Sequence, residues 1–223
     1  MKRNLIFTLS FIFSFTTVSA QVPVRYEPRH KVALENDYVR LMDVRIQPGD
    51  TSLFHIHETP SFFIPLSTTL IGFQMKGQGL KESSLSADST WFNAFESGPL
   101  IHRVWNSDTK VLHVIDLELL SPKNSTLPAT KELSFLKVDF DNEKLRVYKL
   151  AVAPGQDIPL PLLQTPMLFI SVAGPSLSIQ DPDNRNSTYL VKAGGFQWLG
   201  SQKKYQISNG ERSAVNGILI LMK

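Results

Sequence analysis

Three histidines are the residues of this 223-residue chain whose types and spacing point most directly to chemistry. His55 and His57 are two positions apart, so on a β-strand their imidazoles lie on one face while Ile56 faces the other way. His102 is the candidate third ligand, from a neighbouring strand. Neutral imidazole is the commonest protein ligand for several transition metals, and three such ligands leave coordination positions open. The spacing therefore predicts a metal site at His55, His57 and His102.

The histidines do not define the ion. A three-histidine facial site suits iron(II), whereas zinc is often met by exported proteins, and copper or nickel would bind strongly by intrinsic affinity. We expect one divalent transition metal per chain, with Fe, Zn, Mn, Ni and Cu all open. Because protonated imidazole cannot coordinate a metal, acid should release the ion.

Residues 1–20 have the composition of an export signal. Two basic residues precede an apolar run (5–15), and small residues at 18–20 match the end that signal peptidase requires. We predict cleavage before Gln21 and a periplasmic or secreted mature chain with no stable membrane insertion. The alternative is an uncleaved anchor, since no charge separates Arg3 from Arg25. Serine and threonine dilute that stretch and disfavour this alternative.

The composition excludes several classes of protein. Without Lys2 and Arg3, the 23 Lys and Arg residues nearly balance the 20 Asp and Glu residues, and no basic stripe remains to track a phosphate backbone. Nucleic acid is therefore not an expected partner. The chain has no cysteine, which excludes disulfides and a lipoprotein anchor. A small-molecule ligand or substrate is the expected partner, and a homodimer is an assembly that the sequence permits.

The mature chain contains an internal repeat. Residues 30–66 resemble residues 136–172 without a gap, and the apolar positions are kept as well as the identities. Identical residues in the two copies are Lys31/Lys137, Val32/Val138, Asn36/Asn142, Arg40/Arg146, Pro48/Pro154, Gly49/Gly155, Thr59/Thr165, Pro60/Pro166, Phe63/Phe169 and Ile64/Ile170. We predict a duplicated domain, with the two copies burying equivalent faces.

Each copy consists of short apolar segments divided by turn residues, with no long helical periodicity, which predicts an all-β chain. Predicted strands of the first copy are 38–46, 53–57, 62–66, 70–75, 90–95, 102–105 and 111–119; those of the second are 144–152, 167–172, 177–180, 189–192, 205–208 and 217–222. We predict an N-terminal domain at 21–121, a polar linker at 122–130 and a C-terminal domain at 131–223.

These residues resemble the cupin superfamily, and the duplication resembles a bicupin. Gly49, five further residues and then His55-Ile-His57 match the opening of the first cupin motif. His102 and Asn106 match the end of the second motif. The resemblance implies a double-stranded β-helix, or jelly-roll barrel, in each half, with the metal inside a barrel. It supplies no substrate, because this fold supports many functions.

The chain departs from the cupin pattern at two places. The glutamate ligand of the family would fall at Ser61 or Phe62, and neither residue can replace a carboxylate. Glu58 is adjacent to His57, so strand alternation turns it outward. Pro99 also stands where a glycine is expected.

The second copy has lost the metal-binding residues. Apolar or bulky residues replace the three histidines, at Pro161, Leu163 and Tyr205. Burial of a leucine side chain stabilises a fold by about 2 kcal/mol. We therefore expect a metal site in the N-terminal barrel only and a packed interior in its twin.

Other polar residues have structural interpretations. A lone histidine on a strand is usually a structural or surface residue, and we interpret His30 and His113 in this way. Asn106 is expected to shape a turn, Arg40 to form a structural ion pair, and Tyr205 to cap a packed core.

Two functions remain open. The first is a metalloenzyme acting on a small organic molecule, as a non-haem metal dioxygenase or isomerase; its catalytic residues beyond the ligands are undefined. The alternative is a non-catalytic, metal-dependent binding protein for a small carboxylate or sugar. Aromatic residues near the histidine strands predict either a dry pocket or ordinary core: Phe54, Phe62, Phe63, Phe73, Trp91, Phe92, Phe95 and Trp105.

Overall fold

The computed structural model describes residues 21–121, 133, 136–162, 164–181 and 184–223. The predicted signal peptide (1–20) and linker (122–130) lie outside these residues. In the part of the chain that is described, no helix is long and apolar enough to cross a membrane.

The described residues form strands and short 3₁₀ turns. In the first half the strands are β1 (Val22–Pro23), β2 (His30–Glu35), β3 (Val39–Ile46), β4 (His55–His57), β5 (Ser61–Pro65), β6 (Thr69–Met75), β7 (Lys81–Leu85), β8 (Trp91–Asn93), β9 (Leu100–Asn106) and β10 (Leu112–Leu119). In the second half they are β11 (Val138–Asp141), β12 (Leu145–Val152), β13 (Asp157–Leu160), β14 (Met167–Ala173), β15 (Leu177–Asp181), β16 (Asn184–Val191), β17 (Phe196–Leu199), β18 (Tyr205–Ser208) and β19 (Val215–Met222). The prediction of an all-β chain is confirmed.

Each half consists of two sheets. The first half, which we call the N-terminal barrel, has the strand orders β1-β4-β9-β6-β7 and β2-β3-β10-β5-β8. The second half, the C-terminal barrel, has the orders β11-β12-β19-β14-β17 and β13-β18-β15-β16. Of the described pairings, all but that of β1 with β4 are antiparallel, and most join strands that are not consecutive in the chain, as in a jelly roll.

The strands between the two barrels bury apolar side chains on both faces. In β3, Met42, Val44 and Ile46 point into the N-terminal barrel, while Val39 and Leu41 point out of it. A strand reads as a continuous apolar run when both its faces are buried. The long strands β3 and β10 therefore contribute side chains to two hydrophobic clusters, one inside the N-terminal barrel and one between the barrels.

The outward faces of these strands join the two barrels. Ile64, Ile115 and Leu117 of the N-terminal barrel form one cluster with Ile170 and Ile220 of the C-terminal barrel, and all five are at most 1% exposed. Burial of this apolar surface favours the association of the two halves. The C-terminal barrel thereby covers the sheet that carries β3 and β10.

Corresponding turns show the duplication directly. The Asn106 amide donates to Ile46 O and Lys110 O, and the Asn209 amide donates to Val152 O and Ser213 O. The interpretation of Asn106 as a turn-shaping residue is confirmed.

Glycine is required at one equivalent turn in each half. Gly49 and Gly155 have φ values of 74° and 70°, in the left-handed region that other residues rarely adopt. The amide of Gly49 donates to Asn106 O, and the amide of Gly155 donates to Asn209 O. The repeat therefore preserves a backbone contact as well as a sequence.

The interior of the C-terminal barrel is packed with apolar side chains. Tyr205 and Leu160 lie opposite each other on paired strands, at 6% and 2% exposure. In the N-terminal barrel, His102 and His55 lie opposite each other in the same way. Strand pairing thus places Leu160, rather than Pro161, at the position of His55, while Leu163 lies outside the described residues. The Tyr205 hydroxyl accepts from Gly200 N.

Candidate metal centre

Strand pairing brings the three predicted histidines together. His55 on β4 lies directly opposite His102 on β9, and the ring centroids are 4.6 Å apart. His57 follows on the same face of β4, with its ring 4.9 Å from His55 and 5.0 Å from His102. His55 and His57 are 0% and 2% exposed. The imidazoles therefore converge inside the N-terminal barrel.

Two ring nitrogens point at each other. Nε2 of His57 lies 3.1 Å from Nε2 of His102. Two neutral imidazoles can share a proton at this distance, or both can direct lone pairs toward a common ion. The Nε2 atoms of these residues are thus candidate donors.

His55 has one nitrogen fixed and the other unpartnered. Its Nδ1 lies 2.9 Å from the backbone oxygen of Leu53, which can only accept, so Nδ1 carries the proton. Its Nε2 is buried without a hydrogen-bond partner. A buried polar atom without a partner is costly, and the lone pair on Nε2 suits a metal ion.

The structure corrects the interpretation of His30 as an ordinary structural or surface residue. His30, His55 and His57 each offer a donor atom, and these atoms all lie within 4.8 Å of one another. The His30 ring is 4.6 Å from that of His55. His30 begins β2, in the sheet that faces β4, and so becomes a fourth candidate ligand.

A buried carboxylate orients His30. Glu27 is 1% exposed, and its Oε2 lies 2.7 Å from His30 Nδ1. It also accepts from the amides of Arg29 and Leu53. Burial alone would raise the pKa of Glu27, but these hydrogen bonds outweigh it and the pKa is lowered. Metal-binding histidines commonly donate their second nitrogen to a carboxylate in this way.

Burial keeps the histidines neutral. Burial, with a smaller contribution from the nearby His30, lowers the pKa of His55 to about 3 and that of His102 to about 4. Burial also lowers the pKa of His57, with smaller effects from the other histidines. Neutral imidazoles retain the lone pairs that coordination requires.

Asp116 is a second carboxyl group at this centre. It lies on β10 and is 1% exposed, with neither side-chain oxygen hydrogen-bonded. Its Oδ2 is 3.5 Å from Nδ1 of His57, beyond good hydrogen-bonding distance. Burial raises the pKa of Asp116 well above its usual range, and neighbouring Glu118 raises it further.

Neither residue at the expected position of the family glutamate offers a carboxylate to the histidines. Ser61 is fully buried and donates its hydroxyl to Thr59 O, while Phe62 packs into the contact between the barrels. Glu58 is exposed, as predicted. The carboxyl groups near the histidines are Glu27 and Asp116 instead.

The histidines close one end of a small cavity of about 160 Å³. Apart from the histidines and Asp116, its walls are apolar. The remaining lining residues are Val44, Ile46, Phe63, Ile71, Phe73, Leu85, Trp91, Val104, Leu112 and Val114. Of the eight aromatic residues considered from sequence, Phe63, Phe73 and Trp91 line this cavity, which supports the predicted dry pocket.

An aromatic loop residue also covers the histidines. The ring of Phe95 stacks on His57 at 5.8 Å with an interplanar angle of 15°. Phe95 has a φ of 56°, an uncommon conformation for a bulky residue. Its amide donates to the Asn93 side chain, which helps to hold this turn. The loop after β8 thus excludes water from one side of His57.

The remaining polar candidates have structural roles. Arg40 pairs with Glu35 and with Glu118, so its interpretation as an ion-pair residue is confirmed. His113 Nε2 lies 2.7 Å from Asp43, outside the cavity lining.

Solved structures share this architecture. AerE from Microcystis aeruginosa has a TM-score of 0.59 and 15% identity, over 88% of this chain and 98% of that chain. A cupin 2 conserved barrel domain protein from Leptotrichia buccalis has a TM-score of 0.54 and 11% identity, over 85% and 86%. Salicylate 1,2-dioxygenase from Pseudoaminobacter salicylatoxidans, solved as adducts with gentisate, has a TM-score of 0.55 and 9% identity, over 83% and 68%.

These likenesses show that the chain has the cupin fold, which confirms the fold implied by the histidine motifs and the repeat. No protein-family profile matches the sequence, and no curated protein is similar to it. Identities this low carry no activity from one protein to another.

Proposed function

We propose that this chain is an exported metalloprotein that acts on a small organic molecule, as a non-haem metal dioxygenase or isomerase. The observation that carries the proposal is the convergence of His30, His55, His57 and His102 at one end of an apolar cavity. Such a site combines an attachment point for an ion with space for a ligand.

The residues present fit a divalent transition metal. Nε2 of His55 is buried without a hydrogen-bond partner, and neutral imidazoles suit Fe, Zn, Mn, Ni or Cu. His55, His57 and His102 would hold the ion, together with His30. When bound, the metal would supply Lewis acidity or redox chemistry to a substrate in the cavity.

The protein's own contribution is orientation and the exclusion of water. Glu27 and Leu53 O fix the ring nitrogens of His30 and His55 that face away from the cavity. Phe95 and Phe63 contact the ring of His57 from different directions. A dry, preorganised site strengthens the electrostatic interactions within it.

Elemental analysis of the purified mature chain tests the metal centre. We expect about one metal ion per chain, and its loss in His55→Ala and His57→Ala, because reduced ligand sets bind far more weakly. His113→Ala is the matched control, since His113 lies outside the cavity lining. Metal-free protein after refolding with each candidate ion would reject the proposal.

Ligand assays then separate an enzyme from a binding protein. Oxygen consumption with catechols, flavonols or thiols would support a dioxygenase. The alternative, metal-dependent binding of a small carboxylate or sugar, is favoured by the absence of the family glutamate at Ser61. Ligand-dependent melting shifts without turnover would support that alternative.

A further inference from the structure

The cavity restricts what can lie beside the histidines. Its volume of about 160 Å³ is close to that of an apolar cavity of roughly 150 Å³ that holds benzene. The space beside the histidines therefore fits one aromatic ring. A fused or linked multi-ring molecule would have to project past the walls.

The walls carry no positive side chain. Among the described residues that line the cavity, those with polar side chains are the four histidines and Asp116. A ligand carboxylate buried away from the histidines would lose its hydration without gaining a cationic partner, which is costly.

The nearby arginines are already paired. Arg40 is held between Glu35 and Glu118, and Arg29 pairs with Asp50 at 2.7 Å. Arg103 donates to Gln74 at 2.9 Å. None of these three lines the cavity, so none is placed to receive a carboxylate there.

Asp116 favours a ligand that carries a hydrogen-bond donor. Its two oxygens are buried and unpartnered, and the residue lines the cavity. A hydroxyl or amine donor on a ligand would satisfy these oxygens.

Trp91 marks the mouth of the cavity. It is 41% exposed, and its ring stacks on Phe63 at 4.9 Å with an interplanar angle of 13°. A flat ring entering beside this pair meets aromatic surface rather than charge. The entrance and the interior therefore both favour an uncharged aromatic ring.

We infer, resting on the proposed function, that the ligand is a single-ring hydroxylated molecule without a carboxylate on the part that lies away from the histidines, selected by the size of the cavity and its cation-free walls. Its hydroxyl groups face the histidine and Asp116 end, and the ring lies among the apolar side chains.

Calorimetry with the metal-loaded full chain tests this inference using catechol and 3,4-dihydroxybenzoate, which differ by one carboxylate. We expect catechol to bind at least about tenfold more tightly, because the extra charge has no partner. Trp91→Arg places a cation at the exposed mouth and should reduce or reverse this ratio. Trp91→Phe is the control and should preserve it.

The outcomes separate the inference from the proposed function. If the purified chain binds no metal, both the proposed function and the inference about the ligand are overturned. With metal bound, tighter or equal binding of 3,4-dihydroxybenzoate, or binding of neither compound, overturns the inference alone. In a folded Asp116→Asn variant, an unchanged affinity for catechol would show that Asp116 does not contact the ligand hydroxyls.

Discussion

Glu27 shows at the scale of one residue how the site depends on groups that never touch a ligand. Its carboxylate is buried and holds His30 together with the amides of Arg29 and Leu53. Leu53 O in turn holds His55. One carboxylate is thereby linked to the orientation of two imidazoles.

We predict that Glu27→Gln weakens metal binding by about 10–100-fold, the range found when a partner of a metal-binding histidine is removed. Glutamine keeps the shape and one acceptor oxygen but loses the charge. Competition with a chromogenic chelator measures the affinity. Glu58→Gln, at an exposed position beside His57, is the control and should bind as wild type does. Equal affinity in both variants would exclude His30 as a ligand.

Protonation of the histidines should govern the stability of the metal-free protein. The pKa values of His55 and His102 are lowered to about 3 and about 4 by burial, whereas unfolded histidine has a pKa of about 6.5. The unfolded chain therefore binds more protons below pH 6.5, so stability falls as the pH decreases from there toward 4.

Thermal melts in EDTA between pH 8 and pH 5 measure this loss. A His55→Gln variant has one fewer group that must stay neutral, so its melting temperature should fall less steeply across the same range. Parallel profiles for the two proteins would contradict the role of burial at His55.

Among the strands, β6 and β9 pack closely together, and this packing positions His102 on β9. Gly72 on β6 lies opposite Trp105 on β9. A Cβ at Gly72 would lie 1.7 Å from the Trp105 ring. The glycine is thus required by the neighbouring indole.

We expect Gly72→Ala to destabilise the protein by about 1–3 kcal/mol, the range for overpacked interiors. Gly79→Ala is the matched control, because nothing lies within 4 Å of a Cβ at that position. Chemical denaturation measures both. Comparable midpoints would show that the Trp105 ring can move aside at little cost.

The sequence predicted the elements well where periodicity was strong. Strand 205–208 agrees with β18, and β3, β10 and β12 differ from prediction by one residue at their starts. The prediction omitted β1, β2, β7, β11, β13 and β17, which are short or have alternating or polar residues that give weak apolar runs. These strands form only when they pair with another strand, which single-sequence patterns do not encode.

The candidate site was predictable in part for the same reason. Strand alternation brings His55 and His57 to one face, and the cupin resemblance supplied His102. His30 and Asp116 lie on strands of the opposite sheet, so they approach only when the barrel closes. The one sequence signal for Asp116 was a carboxyl group within the apolar run of β10.

At the scale of the whole molecule, the two barrels share an apolar contact and should unfold together. Leu117 is fully buried within the cluster that spans both barrels. We predict a single thermal transition, and a loss of about 2–5 kcal/mol in Leu117→Ala. Leu190→Ala, at a position that is 66% exposed, should change stability little. Calorimetry that resolved two independent transitions would contradict this coupling.

The short strand β1 also bears on how the protein matures. Val22 lies beside His55 in parallel pairing, and its amide donates to Phe54 O. The histidine strand β4 is therefore flanked on one side by residues that begin next to the predicted cleavage position. Proteolytic trimming by only a few residues beyond Gln21 would uncover the backbone of β4, so loading of the proposed metal should depend on where the predicted leader is cut.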